Sequence, residues 1–139
     1  MLLGTSKGRP TTKKSFDLLV KDFVRFTKIK LNIRNDIPVE LIYDLEFSRK
    51  YSSFACIMTD SKQIYVSVIN RHPVDILRSL AHEMVHYKQM ISGQSIQGHT
   101  GSRHENEANA KAGVVLRDYG KLHPELLSLI HISEPTRPL

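Results

Sequence analysis

The apolar residues of this chain change their spacing near Asn70, and that change constrains how its middle can fold. Before it, Val39, Leu41, Tyr43, Leu45 and Phe47 in "VELIYDLEFS" alternate with Glu40, Asp44 and Glu46. A period of two is that of a strand with one buried face. "SFACIMT" (53–59) and "QIYVSVIN" (63–70) are two further strand candidates, and the turn-like "DSK" between them predicts a hairpin. After it, in "NRHPVDILRSLAHEMVHYKQMISG", Ile76, Leu77, Leu80, Met84 and Val85 recur at helical spacing. Pro73 suits a first helical position, Asp75 the positive end of the helix dipole, and Gly93 the stop.

Helices are expected on both sides of this core. Residues 14–30 place Phe16, Leu19, Val20, Phe23, Val24 and Phe26 on one face of an amphipathic helix. The polar, glycine-containing stretch 93–103 reads as a loop. "HENEANAKAGVVLRDYG" follows as a second helix, and "HPELLSLI" has the pattern of a short terminal one. The predicted class is α+β: an N-terminal helix, a small, mainly antiparallel three-stranded sheet, a long helix, a loop and another helix.

A chain of 139 residues is the size of one domain with one core, so one site is sought. The predicted organisation is a flexible basic arm over 1–12, the domain over 13–130, and a disordered or artefactual tail over 131–139, where "ISEPTRPL" carries two prolines and no folding pattern. Neither a membrane span nor a secretory segment is visible, and a cytoplasmic location is expected. The single cysteine, Cys56, cannot pair within the chain or build a thiolate cage, which leaves His, Asp and Glu to hold any metal. A formal charge of +6 invites a nucleic-acid partner, but the cations are spread apart from "SKGRPTTKK" and no nucleic-acid motif accompanies them. That partner is not favoured.

Within the long helix, "RSLAHEMVHYKQM" contains His82, Glu83 and His86 in the order H-E-x-x-H. Residues four apart lie on one helix face about 6 Å apart along the axis, so two imidazoles can grip one zinc at ~2.0–2.1 Å. Glu83, beside them, is placed to take a proton from water that zinc has acidified to a pKa of about 7. An ordinary amphipathic helix with two histidines on its polar side would read the same way. A catalytic zinc also needs a third protein ligand.

H-E-x-x-H followed some twenty residues later by a helical Glu resembles the gluzincin zinc metallopeptidases, and "ENEANAKAG" is similar to the E-x-E-A-N-x-x-A segment of ImmA/IrrE-type peptidases and short phage-encoded proteins. The resemblance implies a minimal zincin-like domain holding one Zn²⁺ through His82, His86 and Glu107. It further implies Glu83 as general base, Asn109 as a hydrogen-bonding support, and a protein or peptide substrate paired with the strand before the helix, "QIYVSVIN". Many gluzincins carry an Asp four residues after the ligand Glu that orients the first His. Counted from Glu107, that position is Lys111. Glu105, two residues from Glu107 and some 200° around the helix, is expected to be a solvated or capping carboxylate.

Two alternatives remain. "GHTG" is similar to the segment that supplies the third ligand in SprT-like, DNA-associated proteases, which would make His99 the ligand. A non-catalytic module that holds a metal and binds nucleic acid or protein is the other. His72 and His123 are expected at caps or surfaces.

Overall fold

The computed structural model describes residues 13–44, 46, 54–93 and 102–128, and the expectations for the basic arm, residues 45 and 47–53, His99 and the tail lie outside them. The order is helix α1 (Lys13–Leu31), strands β1 (Val39–Ile42), β2 (Ala55–Ile57) and β3 (Ile64–Ser67), helices α2 (Pro73–Ile91) and α3 (Arg103–Leu122), and a 3-10 turn (Pro124–Ser128). The class is α+β.

The three strands form one mixed sheet in the order β1-β3-β2. The expected hairpin is present: β2 and β3 pair antiparallel, Ala55 opposite Val66 and Ile57 opposite Ile64. β1 pairs with β3 in parallel, Val39 opposite Ile64 and Leu41 opposite Val66, so the sheet is less antiparallel than its hairpin suggested. Strand direction was not written in the alternation, which records burial and not partners. A substrate-pairing role for "QIYVSVIN" is overturned by this order. β3 is flanked on both sides, and the described edge strand that approaches α2 is β2.

α2 is the central element, packed by the sheet, α1 and α3. Ile76, Leu77, Leu80, Ala81 and Met84 are sealed in the core together with Ile64, Val66 and Val68 of the sheet segment and Phe16, Val20 and Phe23 of α1. Its start is fixed as the sequence implied, with Pro73 in the first turn and the Val74 N–H donating to Nδ1 of the capping His72 at 3.0 Å. Gly93, just past the end, has φ +83°, a conformation that an L side chain strains to adopt. None of the described helices is long and apolar enough to cross a membrane.

α3 covers what would otherwise be the polar side of α2. Ala108, Ala112, Val115, Leu116 and Tyr119 are buried, and Tyr119 sits edge-on to Phe23 at 4.9 Å between ring centres while its hydroxyl donates to Asp22 Oδ2 at 2.7 Å. Ser102 caps the helix by accepting from the Glu105 N–H at 3.1 Å. These contacts fix both the start of α3 and its rotation, and rotation decides which carboxylate reaches α2.

Candidate metal centre

His82 and His86 are one helical turn apart on α2, their rings edge to face with centres 4.8 Å apart. Both Nε2 atoms meet one carboxylate, that of Glu105: Oε1 lies 2.6 Å from His82 and Oε2 3.0 Å from His86. One ligand atom from each of the three residues falls within 4.8 Å of the others, and they form the described group of His and acidic side chains able to hold a metal.

Glu107 is not among them. Its Oε1 accepts from the Gln89 side-chain amide at 2.6 Å, and its Oε2 pairs with Lys111 at 3.1 Å. The reason is the apolar stripe of α3. At about 100° per residue, Glu105 lies some 60° from the buried Ala108 on the flank that faces His82 and His86, whereas Glu107 lies about 100° away on the other flank. The motif register favoured Glu107, but the stripe "A108–A112–V115–Y119" carried the correct rotation and could have chosen Glu105 from sequence.

The same rotation accounts for Asn109. Four residues beyond Glu105, it shares that face, and it borders the same recess as His82. Burial pushes the His82 pKa below its ordinary value, opposed by the nearby Glu105 charge.

Whether these residues suit a cation can be judged from hydrogen bonding. His86 Nδ1 lies 2.8 Å from Gln89 Oε1, an acceptor, so Nδ1 carries the hydrogen. In the neutral ring, Nε2 then presents a lone pair to the Glu105 oxygen. Two acceptors at 3.0 Å repel unless something electropositive lies between them. A proton on this buried cluster would serve, and so would a divalent cation, for which two imidazoles and a carboxylate are a suitable zinc donor set.

Glu83 is buried at 9% exposure beside this group. Burial raises its pKa to about 7, with the neighbouring His86 opposing and the Glu105 charge adding to the rise. A carboxyl poised near neutrality has the character of a general base or acid. Glu83 and His82 open onto a recess of ≈ 290 Å³ bounded by Phe54, Ala55, Ser79 and Asn109.

His104, His123 and Cys56 lie outside this group, and so does Tyr87. Tyr87, 5% exposed, directs its hydroxyl to the Asp36 carbonyl at 3.4 Å. His104 is buried at the start of α3, where its carbonyl accepts from Gln89 at 3.1 Å. His123 caps the C-terminus of α3 and stacks on Tyr119. Cys56, half-buried on β2, has its pKa raised by burial and by the Glu83 charge, which keeps its thiol protonated. No family model, curated protein or solved structure matches this chain.

Proposed function

We propose that the chain is a zinc-dependent peptidase, with His82, His86 and Glu105 holding the metal and Glu83 acting as general base. The observation that carries this reading is a buried carboxyl, Glu83, beside two imidazoles that converge on a third ligand, with Glu83 and His82 bordering an open recess. A buried site of purely structural purpose has no need of a recess beside its ionisable carboxyl. When bound, zinc supplies Lewis acidity toward a peptide carbonyl and acidifies water.

The protein's own residues do the rest. His82 and His86 each present Nε2, and Gln89 Oε1 meets the other nitrogen of the His86 ring. Glu83 accepts a proton from the attacking water and returns it to the departing amine. The substrate enters through the recess between the β2 side and α3, where Phe54, at 56% exposure, offers an apolar contact. The lone thiol Cys56 suits a reducing cytoplasm.

The test is Glu83→Gln, with zinc content and cleavage of a denatured-protein or peptide library read by mass spectrometry. We expect one zinc per chain in both forms and cleavage in the wild type alone. Cleavage that survives the substitution would overturn the mechanism.

A further inference from the structure

Gln89 is a buried polar side chain, 1% exposed, that the proposed reaction does not touch. Its amide nitrogen has two hydrogens and both are used, one by the His104 carbonyl at 3.1 Å and one by Glu107 Oε1 at 2.6 Å. Both partners are acceptors: a backbone carbonyl, and a carboxylate whose other oxygen pairs with Lys111 Nζ at 3.1 Å. Turning the amide over would aim its oxygen at two acceptors. The orientation is therefore fixed, with Oε1 facing His86 Nδ1 at 2.8 Å.

The consequence passes to the metal side of the ring. An acceptor at Nδ1 demands the Nδ1–H tautomer, and that tautomer leaves the Nε2 lone pair on the side of Glu105. We propose that Glu107 and Gln89 form a positioning relay that locks His86 in its metal-binding tautomer and so raises the zinc affinity, without Glu107 touching the metal. The proposal rests on the zinc reading above, but its structural core is a property of the metal-free protein. Lys111 belongs to the relay only as the ion-pair partner of Glu107 Oε2, at 3.1 Å.

Two measurements test it. In the metal-free protein at a pH where His86 is neutral, nitrogen-15 shifts of the His86 ring should report hydrogen on Nδ1. Zinc affinity by chelator competition should fall about 10–100-fold in Gln89→Leu. Glu107→Ala should weaken it about tenfold, at the low end of that range, with one zinc still bound at saturation. Glu107→Gln, whose amide oxygen can still accept from Gln89, should recover most of the loss.

A wild-type ring protonated on Nε2 would overturn the relay, as would unchanged affinity in both Gln89→Leu and Glu107→Ala. Loss of the zinc itself in Glu107→Ala would make Glu107 a ligand and also refute it. If Gln89→Leu fails to fold, the wild-type tautomer and the Glu107 pair still decide. If the wild type binds no zinc, the zinc reading fails and the tautomer measurement alone judges the relay.

Discussion

Replacing Glu83 by Gln in the metal-free protein isolates the electrostatic cost of the site from its packing. The carboxyl has an ordinary pKa of 4.5 and is raised to about 7 in the folded chain, chiefly by burial. The folded state thus holds this proton more tightly than the unfolded state does. Its stabilising contribution is complete below pH 4.5 and is lost as pH rises through 7. At ~1.36 kcal/mol per unit, that gap corresponds to a loss of about 3 kcal/mol between pH 4.5 and 8. Access of water from the recess makes this an upper value. Gln has nearly the same shape and does not ionise. In urea denaturation with chelator present, the stability of wild type relative to Glu83→Gln should therefore fall by about 2–3 kcal/mol from pH 5 to 8. A difference independent of pH across that interval would refute the reasoning, because it would mean that Glu83 titrates alike in the folded and unfolded chains.

Other substitutions probe the supports of the site. Glu105→Ala should weaken zinc binding by more than the roughly 10–100-fold expected for a residue behind a ligand, measured by the same chelator competition. Ser102→Ala removes the α3 cap that fixes Glu105 in the first turn, and should cost about 1 kcal/mol of stability and lower zinc affinity as well. Leu80→Ala, at a fully buried position on α2, should cost about 2–5 kcal/mol by thermal or urea unfolding.

What could be read from sequence followed from periodicity and local chemistry. The boundaries of α2 were legible because His72, Pro73, Asp75 and Gly93 each act within one turn of the chain. The face of α1 was legible for the same reason, since Phe16, Val20 and Phe23 mark it directly. The pairing of β1 was not, because a partner distant in sequence leaves no trace in the alternation of its own side chains.

The carboxylate of the site lay between these cases. His82, Glu83 and His86 come together because they share a single helix, whereas the third group depends on how α3 is rotated against α2. That rotation is governed by Ala108, Ala112, Val115 and Tyr119, which are weaker markers than phenylalanines, and a two-residue shift within "ENE" exchanges a group facing the histidines for one facing Lys111. Gln89 is the residue that sequence reasoning passed over. Its importance lies in an amide orientation set by His104 and Glu107, and a helical pattern does not record orientation.

The most direct test of the central claim is anomalous diffraction at the zinc edge from crystals of the zinc-loaded chain. The account predicts one peak per chain, bonded at ~2.0–2.2 Å to Nε2 of His82, Nε2 of His86 and a carboxylate oxygen of Glu105. A peak bonded to Glu107 or His99 in place of Glu105, or no peak at His82 and His86, would contradict it.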